Sequence, residues 1–260
     1  MRVDWLNEVE NKFGHPAIVL WRAIELKHIE EVLNKYPLNE PILDLGCAEG
    51  KIAGLLFKGK KLIGLDNSWE FLSQNKENET YRALVLTDAC NMPFKDGFFS
   101  SVFSNCVIEH IPDVNKVLSE ISRVLKPNGL FFFTVPSHKF ADYLFFSIIF
   151  EKLGLRFLSH WYKNKRNALL KHFHCYDKET WNNILLSKGF KVLNSRYYMG
   201  ENSAFVWDFL AFIFLLGKKI KINLDNNSFL LKAARLAYAS DITMGKSGAG
   251  LLIICSKRGH

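Results

Sequence analysis

Pro41-Ile42-Leu43-Asp44-Leu45-Gly46-Cys47-Ala48-Glu49-Gly50 is a short apolar run that carries one acid and closes on a bend holding two glycines. Such a run reads as a buried strand opening onto a nucleotide. Gly46 and Gly50 lack a Cβ, so the backbone can turn sharply there and approach a ligand closely, and Lys51 to Phe57 can follow as a helix whose first N–H groups face it. Working outward, Lys61-Leu62-Ile63-Gly64-Leu65-Asp66 is a second apolar run ending in an acid. It lies about 20 residues on, the spacing at which a carboxylate takes two ribose hydroxyls. Two such strands predict a nucleoside pocket.

A glycine bend alone also fits a plain strand-to-helix turn, so the segments beyond it matter. Leu84-Val85-Leu86-Thr87-Asp88-Ala89 repeats the pattern of strand then acid, and Met92 through Asn105 delivers a fourth strand after a turn. Glu109-His110-Ile111-Pro112-Asp113 follows, and then Arg123-Val124-Leu125-Lys126-Pro127-Asn128-Gly129-Leu130-Phe131-Phe132-Phe133. Strands alternating with helices argue for an α/β fold, a parallel sheet covered on both faces.

In this order the motifs resemble the class I S-adenosylmethionine-dependent methyltransferases, and within them the group acting on small molecules, lipids and quinones. The resemblance covers Ile42 to Pro136 and resumes from His174-Cys175-Tyr176-Asp177 through Gly189-Phe190. It implies a Rossmann-like, doubly wound, mostly parallel seven-stranded sheet with helices on both faces, the last strand, Gly250 to Ser256, lying antiparallel near one edge. It also implies that Asp44, Gly46, Ala48 and Gly50 surround the methionine part of S-adenosylmethionine, with Asp66 on the ribose hydroxyls. Asp88 and Ala89 would meet the adenine edge and Asn105 would floor the sulfonium. Cys47 and Asn67 belong to the same cofactor-binding set. Family members usually carry glycine where this chain has Ala48, so the backbone approach there is expected to be looser or shifted, with cofactor binding retained.

Composition adds an intracellular setting. A chain of 260 residues can bury one large α/β core, so residues 1–260 are expected to form a single domain with insertions. Its five cysteines are odd in number, scattered and without metal-type spacing, which predicts a reducing, cytoplasmic compartment and no metal. Early acids and the lack of an apolar core in Met1-Arg2-Val3-Asp4-Trp5 argue against a secretory signal. The formal net charge of +8 raises the question of an anionic partner. Lys58, Lys60 and Lys61 form one basic group, Lys163, Lys165, Arg166 and Lys171 a second, and Lys218, Lys219 and Lys221 a third. Each group fits a solvated face. Where they adjoin apolar runs, they point to an anionic membrane surface, with the protein peripheral to it, more than to nucleic acid.

Pro16 suits a first helical turn, and Ala17 to Leu33 carries the helix on. Ala17, Ile18, Trp21, Ile24, Ile29 and Val32 share one side of it, yet Glu25 falls in the middle of that side and Arg22 near its edge. Those charges need a partner. They either pair with each other three residues apart or border the cofactor or substrate mouth. Two stretches then interrupt the common core, at 137–171 and 200–246. Both hold apolar runs, Tyr143 to Phe150 and Phe205 to Leu216, and neither reaches the roughly 18 to 20 apolar residues of a bilayer span. As a helix the second run is apolar all round except at Asp208, so it should be buried in protein or lipid. The inserts are expected either to pack as a lid on the core or to cap the substrate mouth for a lipid-like acceptor. In the latter case Lys218, Lys219 and Lys221 would meet anionic headgroups.

A sulfonium methyl is already activated, so its displacement needs in-line approach and exclusion of water more than covalent help. A hydroxyl acceptor would gain from a general base, and His110, His138, His172, His174 and Glu109 are the candidates, His110 first as a catalytic residue because it follows the fourth strand into the crevice. Glu109, His138, His174 and Tyr176 are expected on the substrate side, His174 and Tyr176 either lining or bracing it. The acceptor class is a small or lipid-like molecule: a lipid, quinone or glycan intermediate. An NAD-dependent dehydrogenase would want glycine at the places of Ala48 and Lys51. An RNA or other nucleic-acid methyltransferase would explain the charge, but Ser104-Asn105-Cys106-Val107 lacks the Asn-Pro-Pro-aromatic pattern that holds a flipped base. A non-catalytic binding module on the same fold has no physical need for carboxylates at three successive strand ends.

Overall fold

The computed structural model describes residues 3–75, 78–241 and 246–259. Met1 and Arg2 of the N-terminal stretch and positions 242–245 of the second insert lie outside the described residues. In chain order the elements are α1 (Trp5–Glu10), α2 (Pro16–Lys35), β1 (Ile42–Leu45), α3 (Lys51–Leu56), β2 (Leu62–Asp66), α4 (Trp69–Gln74), β3 (Tyr81–Leu86) and β4 (Phe99–Asn105). After a 3-10 turn at Ile108–His110 come α5 (Val114–Val124), β5 (Leu125–Pro136), α6 (Phe145–Lys152), α7 (Arg156–Leu169), α8 (Lys178–Ser187), β6 (Phe190–Tyr198), α9 (Glu201–Lys219), α10 (Ser228–Ala239) and β7 (Gly250–Lys257). The alternation expected from the sequence is therefore present, and the helix begun at Pro16 runs two residues past Leu33 to Lys35.

The strands form one seven-stranded sheet in the order β3-β2-β1-β4-β5-β7-β6. β1 pairs parallel with β2 and with β4, β2 parallel with β3, and β4 parallel with β5. Chain order runs one way from β1 through β2 to β3 and the other way through β4 to β5. This places a topological switch point at the carboxyl ends of β1 and β4, where open α/β sheets bind ligands. β7 is antiparallel to β5: Cys255 Sγ reaches the Phe131 carbonyl and, farther along β7, Lys257 Nζ reaches the earlier Leu125 carbonyl.

Two compact units divide the chain. One comprises Glu30–Pro136, Phe173–Arg196 and Leu251–His260, the other Met1–Ile29, Ser137–His172 and Tyr197–Gly250. The first holds most of the sheet. Its core follows the two-residue period of a strand: in β5, Phe131 and Phe133 share one face and meet Phe190 and Trp181 (ring centroids 5.8 and 5.2 Å), while Phe132 turns to the opposite face and stacks on Phe103 at 5.5 Å. α5 is capped by the Asp113 carboxylate, which accepts from the Lys116 N–H, and it buries Val117, Leu118, Ile121 and Val124 along one stripe.

The second unit contains the helices of both inserts together with α1 and the first part of α2. Trp21 gathers Phe140, Tyr198 and Trp207 within 5.1 to 6.0 Å. Glu25, fully buried, ion-pairs with Arg22 and accepts a 2.7 Å hydrogen bond from the Tyr198 hydroxyl. Of the apolar side read on this helix, Ile18 departs: it is exposed, while Ala17, Trp21, Ile24, Ile29 and Val32 are buried. Asp208, the one acid in the apolar run of α9, is also buried and ion-paired. Arg166 pairs with it at 2.8 Å, Tyr162 donates at 2.7 Å and the Phe145 N–H caps it at 3.1 Å. Burial raises its pKa against the pull of Arg166. The apolar helix is thus anchored in protein through one ionic node that ties α6, α7 and α9. Among the described residues no helix is long and apolar enough to cross a membrane.

Candidate functional site

All four residues of β1 are buried, as expected of a central parallel strand, and Asp44 is one of them. A carboxylate in that position must be hydrogen-bonded. Its partner comes from two strands away: the Tyr81 hydroxyl, at the start of β3, donates to Asp44 Oδ2 at 2.6 Å. The reach is possible because the residue of β2 in register with Asp44 is Gly64, where an added Cβ would lie 3.0 Å from Tyr81 Cδ1 and 2.9 Å from Cys47 Sγ. Burial pushes Asp44 up to about 7, opposed by the Tyr81 hydrogen bond and reinforced by the charge of Asp66. The Cys47 thiol is also pushed up, first by burial and then by the same two acids. It is inert packing, not a nucleophile.

Beyond β1 the backbone takes left-handed conformations at Gly46, Ala48 and Gly50, with φ of 75, 45 and 69°. At Gly46 a Cβ would sit 2.3 Å from Val107 Cγ2, so the bend after β1 rests directly on the segment after β4. Ala48 keeps the glycine-type conformation in spite of its Cβ, at a cost of about 1 kcal/mol. Two contacts hold it there: its N–H donates to Asp66 Oδ2 at 2.9 Å, and its carbonyl accepts from the Asn75 side chain.

Asp66 closes β2 and is buried. Its Oδ1 accepts from the Ser68 N–H at 2.9 Å while Oδ2 holds Ala48, so the carboxylate is locked between the bend and the start of α4. Each oxygen keeps a further lone pair for a hydroxyl. The backbone carbonyl of Asp66 accepts from the Thr87 N–H at 3.0 Å, which brings the end of β3 alongside. Asp88 lies two residues past that strand, exposed, with Oδ1 turned to the Cys90 N–H at 2.8 Å, and Ala89 beside it is buried. Asn67 is exposed. Asn105 ends β4 and spends its amide on Thr134 Oγ1 of β5 at 2.7 Å. The ten residues expected on the cofactor side therefore lie at or just beyond the carboxyl ends of β1 to β4.

On the other flank, the 3-10 turn after β4 buries Glu109 and exposes His110, whose Nε2 is 3.7 Å from Glu109 Oε1. The Phe173 N–H donates to the Glu109 carbonyl at 2.8 Å. His174 is buried next to it. Its Nε2 lies 2.9 and 3.2 Å from the carbonyls of Ile111 and Pro112, which only accept, so the Nε2 proton is assigned by that geometry and Nδ1 receives the Tyr176 hydroxyl at 3.0 Å. Both ring nitrogens are thereby engaged in bracing. Burial, with the nearby Glu109 charge, pushes the Cys175 thiol up to about 12. His138 belongs to the other unit, exposed, with its ring 5.8 Å from Tyr197.

Tyr81, Asn75 and Val107 are the residues that sequence reading passed over. The glycines were their visible trace, since a glycine marks a close approach: an added Cβ would meet Tyr81 at Gly64, Asn75 at Gly50 and Val107 at Gly46.

Residues 43–133 match the methyltransferase domain family. That match and the relatives below support the class I S-adenosylmethionine-dependent methyltransferase family for this chain. Among curated relatives, it is 37% identical over 99 residues to a malonyl-[acyl-carrier protein] O-methyltransferase of Legionella pneumophila, covering 36% of this chain and 35% of that one. It is 33% identical over 100 residues to a sterol 24-C-methyltransferase of Pneumocystis carinii, covering 35% and 26%. The matched region thus spans about a third or less of those relatives' lengths. Among solved structures, phosphoethanolamine N-methyltransferase 2 of Haemonchus contortus in complex with S-adenosyl-L-methionine superposes with a TM-score of 0.57 at 17% identity, over 88% of this chain and 52% of that one, a likeness of fold.

The family cofactor suits the residues present. A bend with room for no side chain at Gly46 or Gly50 and a locked acceptor at Asp66 answer to a ribose and a close backbone contact. Two neighbouring buried acids, Asp44 and Asp66, answer to a cation.

Proposed function

We propose that the protein transfers a methyl group from S-adenosylmethionine to a small or lipid-like acceptor. The observation that carries this reading is the Asp66 carboxylate, fixed by the Ala48 and Ser68 N–H groups at the mouth of the switch point with acceptor capacity to spare. When bound, the cofactor supplies a methyl group on a cationic sulfur. Asp66 and Asn67 hold the ribose side in this reading, Asp88 and Ala89 the adenine edge. Asp44, Gly46, Cys47, Ala48 and Gly50 hold the methionine part, and Asn105 forms the floor. The chain's main contribution is to orient the partners at about 3 to 3.5 Å and exclude water.

For a hydroxyl acceptor, His110 is the base: the exposed ring, its Nε2 3.7 Å from Glu109 Oε1, takes the proton. Glu109, His174 and Tyr176 shape the acceptor side. A lipid-like acceptor is supported by the acyl-carrier and sterol substrates in the names of the two relatives and by the aromatic-rich inserts. Five free cysteines suit a reducing cytoplasm. Exposed Lys218, Lys219 and Lys221, directly after the apolar run of α9, suit a peripheral seat on an anionic membrane.

The test is methyl transfer from labelled cofactor into total lipid, glycan and RNA extracts, beside calorimetry with S-adenosylmethionine. Label in the lipid or glycan fraction is the expected result. Label confined to RNA would replace the acceptor class, and no cofactor binding at millimolar concentration would leave a binding module. His110→Ala with near-normal turnover on the acceptor so found would remove His110 as base.

A further inference from the structure

α6 and α7 are joined by Leu153, Gly154 and Leu155, with Gly154 at φ 74° making the turn. Every residue from Glu151 to Leu158 is exposed, an unusual condition for a segment reading Lys-Leu-Gly-Leu-Arg-Phe-Leu from position 152. Phe157 is 80% and Trp161 51% exposed, one helical turn apart on α7, with Leu153, Leu155 and Leu158 exposed around them. A single exposed apolar side chain needs no explanation, but a contiguous cluster marks an interaction surface.

Within the segment that carries this cluster the charge is of one sign. From position 152 to 171 the chain carries Lys152, Arg156, Lys163, Lys165, Arg166 and Lys171 and not one acid. Two of these cations are engaged inside the protein: Arg166 by Asp208, and Lys163 by Asp142 at 2.9 Å and Glu151 at 2.6 Å. Lys152, Arg156 and Lys165 remain exposed on the rim of the apolar cluster. Beside it, Glu151, Arg156, His160 and Lys163 line an open cavity of about 570 Å³. Since Glu151 and Lys163 neutralise each other there, the charge left to face an occupant is that of Arg156.

We infer that the α6–α7 turn is a membrane-insertion tip, with Phe157, Trp161 and the neighbouring leucines entering the headgroup boundary of an anionic bilayer. Lys152, Arg156 and Lys165 contact its phosphates. The inference rests on the lipid-facing part of the proposed function and adds the element that makes the contact. Aromatic and leucine side chains ringed by Lys and Arg are the pattern of interfacial helices. An RNA partner would use the cations and stack on the rings but would gain little from three exposed leucines. Holding this tip at the bilayer would present the protein to acceptors that reside there.

Co-sedimentation with vesicles of phosphatidylcholine, with or without phosphatidylserine, tests the tip. The wild-type chain is expected to pellet with the anionic vesicles and to be released by salt. Reversing three rim charges in Lys152→Glu/Arg156→Glu/Lys165→Glu should weaken that binding by roughly a hundredfold or more. Phe157→Ser/Trp161→Ser should also abolish it, and Phe157→Ser alone should weaken it with little change in the melting temperature, since that side chain is 80% exposed. Wild-type binding by both variants overturns the tip. If Lys218→Glu/Lys219→Glu/Lys221→Glu then loses binding, the membrane reading survives through the end of α9. No binding of the wild-type chain to anionic vesicles overturns tip and membrane seat together while leaving methyl transfer intact. RNA retention lost only in the charge variant, or a dimer lost only in Phe157→Ser/Trp161→Ser, overturns the tip in favour of that partner.

Discussion

Replacing Tyr81 with Phe removes one oxygen atom and should make cofactor binding strongly pH-dependent. The ring stays where it packs against Gly64 and Gly50, so the fold is retained, but the 2.6 Å hydrogen bond to Asp44 Oδ2 is lost. A hydrogen bond to a charged group contributes about 1.5 to 3 kcal/mol, and 1.36 kcal/mol corresponds to one pKa unit. Asp44, at about 7 in the native protein, is therefore expected between about 8 and 9 in the variant. Suppose the cofactor's cationic end requires the ionised carboxylate; apparent affinity then scales with the ionised fraction. Near pH 6.5 the variant should bind S-adenosylmethionine roughly 8- to 75-fold more weakly than the native protein, and the deficit should shrink toward nothing above about pH 9.5, where Asp44 is largely ionised in both. Calorimetric titration across that range is the assay. A deficit that is the same at every pH, or none at pH 6.5, would refute the coupling between Tyr81, Asp44 and the cofactor.

Asp44→Asn should separate stability from function. Because the folded-state pKa of Asp44 is raised from 3.8 to about 7, the unfolded chain releases this proton first and the native state loses stability as pH rises through that window. The variant should therefore melt at or above the native temperature at pH 8 while binding the cofactor more weakly; a lower melting temperature at pH 8 contradicts the sign. Gly64→Ala places a Cβ 2.9 Å from both Cys47 Sγ and Leu84 Cδ2, and overpacking of this kind costs about 1 to 3 kcal/mol, to be read by urea denaturation. Asp208→Asn leaves the Arg166 guanidinium buried without its counter-charge and should destabilise by about 3 to 5 kcal/mol. Arg166→Met combined with Asp208→Leu should recover much of that loss, and equal instability of the single and double variants would argue against an ionic origin.

The sequence was sufficient wherever the physics is local. Strand then acid then small residues dictates a buried strand, a bend and a helix start, and the motifs lie in chain order, so the sheet, the cofactor bend and the positions of Asp44, Asp66 and Asn105 were legible in it. What could not be read were the contacts made across the sheet and between distant segments. Tyr81 reaches Asp44 only because β3, β2 and β1 lie side by side with Gly64 in register between them. Glu25 is an ionic residue of the helical unit because Tyr198, 173 positions away, donates to it. Asp208 is tolerable on an apolar helix because Arg166 and Tyr162 arrive from α7. Hydropathy and spacing describe what a residue prefers, whereas the partner of a buried charge is chosen by which strands and helices the whole chain sets beside it, and that choice is made only in three dimensions.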